Sequence, residues 1–213
     1  MADSKPKPVM VNIAWQVDQM LREIGLTRDI VRSIAVAAAS GRADALAVDP
    51  SGTPGTLSYI YGVRKTRLLL IPLGWQVSRH GHIESTVNHK LGIQLCFQNV
   101  DRACGDAEPQ AISAKGSSAR ELIRSGQMDL FDTGEKSAVQ HGHAPTVWLI
   151  CVSADNDSIR AEVSCPKVFE GDQFDGFAPR LFCIDESTGP KPTRRDDTDD
   201  DGDLDLDIPV SKK

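Results

Sequence analysis

The chain has 213 residues, of which 40% are hydrophobic and 25% are charged, a composition typical of a globular protein. No apolar run approaches the roughly 20 residues that a membrane-spanning helix needs, so no membrane association is expected. The N-terminus, MADSKPKPVMVN, lacks the apolar core of a signal peptide, which favours a cytoplasmic location. The five cysteines are widely spaced and odd in number, which favours reduced thiols over a disulfide framework.

The negative charge is confined to the C-terminus. Residues 196–213 contain eight Asp and two Lys, and this segment alone accounts for the net charge of −6 of the whole chain. The rest of the chain is neutral overall, which excludes a strongly basic nucleic-acid binder. A small basic group, Arg64, Lys65 and Arg67, is interpreted as a solvated strand end.

Two helices are predicted near the N-terminus, after a polar and disordered stretch at 1–10. Apolar residues recur at helical spacing from Val11 to Ile24, and Gly25 can end that helix. Thr27 is suited to cap a second helix, which Gly41 can stop. Such a hairpin is compatible with a helix-turn-helix DNA reader, but the alanine-rich end of the second helix favours plain packing.

The remainder of the body reads mainly as β-structure. A short helix is predicted at Ser118–Arg124 and a hairpin turn at Asp155–Ser158. The predicted strands are Leu57–Val63, Arg67–Leu73, Gly92–Val100, Thr146–Ser153, Ile159–Cys165 and Arg180–Ile184.

These elements predict an α+β fold with one domain at 11–185. An N-terminal helical hairpin precedes a mainly antiparallel sheet, which a long loop insertion at about 101–145 interrupts. Residues 186–213 lose hydrophobic periodicity and are predicted to form a disordered acidic tail.

One loop carries apolar residues where solvent is expected. The stretch Ser125–Gly134, SGQMDLFDTG, is polar and flanked by glycines, yet it contains a Leu-Phe pair. Its central pentapeptide resembles the clamp-binding motif of bacterial replication and repair proteins at all five positions, which are Gln127, Met128, Asp129, Leu130 and Phe131.

This resemblance implies that the peptide docks into an apolar pocket of the replicative sliding clamp. Leu130 and Phe131 would be the buried anchors, and Gln127 would bond at the pocket edge. Met128 would cover a shallow groove, while Asp129 would stay in solvent. The alternative is that the Leu-Phe pair packs on the sheet in one apolar stripe with Leu122, Ile123 and Met128.

The C-terminal tail carries a second, weaker resemblance. Asp203–Val210, DLDLDIPV, is similar to the acidic tip of bacterial single-stranded-DNA-binding proteins, which end in Ile-Pro and a terminal Phe. Here Val210 replaces the aromatic residue, and three further residues follow. A solvated tail that aids solubility or shields a basic surface is the simpler interpretation.

Two further groups could carry chemistry. A carboxylate cluster with a lysine would suit a Mg²⁺-dependent nuclease, and the candidates are Asp155, Asp157, Glu162 and Lys167. Ser164 stands where a restriction-type pattern would place lysine. Two His-Gly-His triplets could offer four imidazoles to one metal, and these are His80, His82, His141 and His143. Exposed loop histidines are the plainer interpretation.

The sequence therefore supports three hypotheses. The first is a bacterial or phage accessory protein of DNA replication or repair that docks on the sliding clamp and can also contact DNA. The second is a metal-dependent nuclease of DNA processing or defence, which requires a divalent metal. The third is a small α+β protein without a clamp role.

Overall fold

The computed structural model describes residues 10–131, 144–155 and 158–186. Seven strands form one mixed sheet in the order β1-β7-β6-β5-β4-β3-β2. The strands are β1 (Met10–Val11), β2 (Gln76–Ser78), β3 (Ser85–Asn88), β4 (Ile93–Asn99), β5 (Thr146–Ala154), β6 (Ile159–Pro166) and β7 (Phe177–Glu186). The helices are α1 (Ala14–Glu23), α2 (Arg28–Ala43), α3 (Thr53–Leu70) and α4 (Ser117–Phe131).

Most neighbouring strands are antiparallel, which confirms the predicted α+β class. Two pairs are parallel: β4 with β5, joined through α4, and β1 with β7. In the first of these pairs Leu95 lies opposite Trp148. Helices α1, α2 and α3 cover one face of the sheet. Helix α4 and the irregular segments 101–116 and 167–176 cover the other face.

The predicted N-terminal hairpin is confirmed, but its ends differ: Met10 and Val11 form β1, and the first helix begins only at Ala14. Thr27 caps α2 by accepting a bond from the backbone N–H of Ile30. Gly41 does not stop α2, which continues to Ala43. Gly41 is instead the contact with α3, because a Cβ there would lie 2.7 Å from Cγ of Tyr61. Glycine therefore serves here as a point of close helix approach.

Helix α3 and a 3-10 turn at Ile71–Leu73 replace the two strands predicted at Leu57–Val63 and Arg67–Leu73. The basic group Arg64, Lys65 and Arg67 therefore lies on a helix and not at a strand end. The side of α3 that faces the protein is Ser58, Gly62, Thr66 and Leu70, one residue per turn. Three of these four are small or polar, so the buried stripe has no apolar signature. The apolar residues beside this stripe include exposed ones, such as Leu68 at 65% exposure. Their continuous run in the sequence resembles a buried strand.

The later strands agree closely with the predictions. Strands β4, β5 and β6 match within two residues, and β7 is longer than predicted at both ends. Strands β2 and β3 were missed because they are short and polar in sequence, although β3 is fully buried. None of the helices in the described ranges combines the length and the apolarity that a membrane span requires.

Candidate functional site

The peptide Gln127–Phe131 forms the C-terminal end of α4, so the predicted loop is wrong at this point. The helix continues through Gly126, and this glycine packs against the chain at the start of β5. A Cβ at Gly126 would lie 2.6 Å from the carbonyl oxygen of Pro145 and 2.9 Å from Cγ2 of Val147. The glycine that suggested a flexible flank is therefore a point of tight packing.

Gln127 is enclosed by the protein, with 1% of its surface exposed. Its side-chain amide donates a 3.0 Å hydrogen bond to the carbonyl oxygen of Val147 and contacts Sγ of Cys165 at 3.3 Å. These bonds hold α4 against β5 and β6, and buried amides need such partners. The backbone of Met128–Phe131 belongs to the helix, whereas the side chains of these four residues lie outside the described part of the structure.

A buried ion pair occupies the same face of the sheet, beneath the segment 101–111. Glu162 and Arg180 are both 0% exposed. Nε of Arg180 donates to Oε1 of Glu162 at 2.8 Å, and Nη2 donates to Oε2 at 2.7 Å. The guanidinium also donates from Nη1 to the carbonyl oxygen of Ala107 at 3.0 Å. This bidentate geometry is the strongest form of an ion pair between these residue types.

The carboxylate of Glu162 has no bonding capacity left for a ligand. The hydroxyl of Ser164 donates to Oε1 at 2.7 Å, and the backbone N–H of Cys104 donates to Oε2 at 2.6 Å. With the two Arg180 bonds, each oxygen accepts two donors, which fills its lone pairs. Glu162 therefore ties the segment around Cys104 to the sheet and is not free to bind a metal.

Of the other proposed nuclease residues, Asp155 and Lys167 do not converge on Glu162. Asp155 lies at the β5–β6 turn, where it accepts bonds from the backbone N–H and the hydroxyl of Ser158. Lys167 follows the opposite end of β6, roughly 30 Å from that turn at the usual rise of a strand. Asp157 lies outside the described residues. Within the described ranges, no three His, Cys, Asp or Glu side chains could hold a metal ion together.

Glu108 lies near the ion pair and has an unusual environment. Its Oε2 atom is buried and has no hydrogen-bond partner among the described residues. Burial raises the pKa of Glu108, and the nearby charges of Arg180 and Lys167 partly oppose this rise. Glu108 is only partly buried, and a raised pKa alone does not indicate a catalytic role.

The histidine triplets are only partly described. His80 and His82 are exposed and lie in a one-turn 3-10 helix. His141 and His143 lie outside the described residues, so the four-histidine metal site stays a prediction.

The cysteines are free thiols, as the sequence predicts, and four of the five are buried. Burial raises the pKa of Cys96 and Cys104 to about 12 and that of Cys165 to about 11. Because the thiolate is the nucleophilic form, these thiols are unreactive at neutral pH.

No family model matches the chain, and no curated protein or solved structure matches it either.

Proposed function

We propose that this protein is a cytoplasmic accessory protein of bacterial or phage DNA replication or repair. It docks on the sliding clamp through Gln127–Phe131. The observation that carries the proposal is the match of this pentapeptide to the clamp-binding motif at all five positions. Its place at the end of α4 supports the proposal, because the last turn of a helix can detach without unfolding the rest.

Docking requires a local rearrangement of the described conformation. Gln127 must leave its bonds to Val147 and Cys165 before it can bond at the edge of a clamp pocket. Releasing a buried, bonded amide costs about 1–3 kcal/mol. Only molecules in the released state can bind the clamp. The apparent affinity is therefore the intrinsic affinity multiplied by the fraction of molecules in that state. Burial of two apolar anchors offsets the cost of release, and the net affinity is expected to be in the micromolar range.

Replacing both anchors with alanine should abolish clamp binding. We expect Leu130→Ala/Phe131→Ala to weaken the affinity at least about 100-fold, since each anchor of this kind contributes about 2 kcal/mol or more. Isothermal calorimetry of the full chain against a purified bacterial sliding clamp measures this. Leu68→Ala is the matched control, because Leu68 is 65% exposed on α3 and far from the motif in sequence. If the parent protein does not bind, and the double variant also loses thermal stability, the pair belongs to the core.

A second variant tests the release step. Gly126→Ala places a methyl group 2.6 Å from the carbonyl oxygen of Pro145, which should push the end of α4 away from β5. We expect a lower melting temperature together with tighter clamp binding, because Gln127 is then already free. A lower melting temperature with unchanged or weaker binding would show that release of α4 does not control docking.

A further inference from the structure

A cleft opens at the carboxyl ends of the parallel strands β4 and β5. A cavity of about 560 Å³ lies between the end of α2, the first turn of α3, the end of β4 and the segment 112–115. A second cavity of about 470 Å³ continues along the end of β5 and shares Arg42, Asn99 and Ile112 with the first. Volumes of about 300–1,000 Å³ are typical of small-molecule sites. In open parallel α/β sheets, ligands usually bind at the carboxyl ends of the strands, and this cleft lies at the same ends of the parallel pair β4–β5.

The floor of the cleft is held by hydrogen bonds. Nδ2 of Asn99 donates to the carbonyl oxygen of Gly55 at 2.9 Å. Its Oδ1 atom accepts the hydroxyl of Ser58 at 2.8 Å, and Ser58 is 2% exposed. These bonds fix the end of β4 to the first turn of α3, so the cleft is preformed.

The first cavity of the cleft presents positive charge from Arg42 and Lys115. Among the described residues, Arg42 has no bonded partner for its side chain. Nζ of Lys115 donates to the amide oxygen of Gln98 at 2.6 Å and lies 5.7 Å from the centroid of the Phe174 ring. No acidic side chain in the described ranges lines the first cavity. The two acids of the second cavity, Asp101 and Asp155, accept backbone N–H bonds. Both of these Lys115 partners are neutral, and a partly buried ammonium without a counter-charge is stabilised by an anion.

One wall of the cleft is apolar. The ring of Tyr59 is half-buried and packs edge-on against Phe97, with 6.1 Å between the ring centroids. Ile112 is 59% exposed and lines both cavities. An anion alone would leave this wall and most of the volume unused. The cleft therefore fits a ligand that joins an anionic group to a flat apolar body.

We propose that this cleft binds a phosphate-bearing ligand of nucleotide size. The phosphate lies against Arg42 and Lys115, and the base lies against Tyr59 and Ile112. The fork of an arginine matches two oxygens of one phosphate, and the lysine adds a point charge. A free nucleotide and the phosphorylated end of a nucleic-acid strand both offer this chemistry. The proposal is independent of clamp docking, because the cleft shares no residue with Gln127–Phe131.

Calorimetry with the full chain distinguishes these sources. The probes are ATP, a short oligothymidylate with a 5′-phosphate and the same oligothymidylate with a 5′-hydroxyl. We expect at least one phosphate-bearing probe to bind, and Arg42→Ala to weaken it about tenfold or more, the usual effect of removing one charged hydrogen bond. Lys115→Met should act similarly. Tighter binding of ATP identifies a free nucleotide, and tighter binding of the 5′-phosphorylated strand identifies a strand end.

Arg64→Ala is the matched control, since Arg64 is also exposed and without an acidic partner in the described part of the chain, but lies outside the cleft and stacks on Tyr61. It should leave the affinity unchanged. Arg42 is exposed, so Arg42→Ala should fold even if Lys115→Met does not. Absence of binding by every probe at millimolar concentration overturns the proposal. Equal loss of affinity in Arg42→Ala and Arg64→Ala also overturns it, because binding would then reflect general surface charge.

Discussion

Replacing Glu162 with glutamine should lower the free energy of unfolding by about 3–5 kcal/mol. Glutamine keeps the size of the side chain but leaves the charge of Arg180 buried without a counter-charge. It also adds N–H donors where the hydroxyl of Ser164 and the backbone N–H of Cys104 already donate. The loss should therefore come from both the charge and the hydrogen bonds.

Urea denaturation measures this effect, and a more exposed ion pair on the same two strands provides the control. Arg160 contacts Asp185 at 2.7 Å across β6 and β7, with Asp185 58% exposed. We expect Asp185→Asn to cost less than about 1 kcal/mol. Replacing both members of the buried pair, as in Glu162→Gln/Arg180→Met, should recover part of the loss, because no buried charge then remains. Equal losses of unfolding free energy in Glu162→Gln and Asp185→Asn would show that burial does not set the cost of breaking an ion pair here.

Replacing Gly62 with alanine should also destabilise the protein, by about 1–3 kcal/mol. A Cβ at this position would lie closer than 3.0 Å to three atoms of the Phe97 ring. Phe97 is itself 4% exposed and packed between α3 and the sheet, so the ring has little room to move. The added methyl group must therefore push α3 away from β4.

Gly55 in the first turn of the same helix is the matched control for Gly62. A Cβ there meets no atom within 4 Å, so the substitution adds no clash. Gly55→Ala should stabilise the helix by a few tenths of a kcal/mol up to about 1 kcal/mol, the usual preference for alanine over glycine. Thermal unfolding of both variants measures the difference. An unchanged stability of Gly62→Ala would show that α3 does not pack closely on Phe97.

Hydrophobic patterning predicted the elements that bury apolar side chains. Strands β4 to β6 and helices α1 and α2 were placed correctly because their buried positions hold residues such as Leu21, Ile34 and Ile150. Helix α3 was missed because its buried stripe includes Ser58, Gly62 and Thr66. A stripe of small residues permits close packing, but it leaves no hydrophobic signal in the sequence.

The candidate sites depend on contacts that a sequence does not show. The pentapeptide ending in Phe131 was recognisable, but the burial of Gln127 depends on Val147, 20 residues further along. Glu162 is predicted as a metal ligand because it lies close to other charged residues in the sequence. Its actual partner, Arg180, lies on another strand, across an irregularity in the register. The cleft joins residues from Arg42 to Lys115, which no local pattern connects.

The pairing of β1 with β7 constrains when this protein can finish folding. Met10 and Arg180 are neighbours in the sheet although 170 residues separate them in the chain. A ribosome releases the N-terminal residues first, so β1 has no partner until β7 has been synthesised. Long-range pairings of this kind form slowly. The edge of the sheet at β1 therefore cannot be completed before Leu181 has been translated, and the order of synthesis differs from the order of assembly.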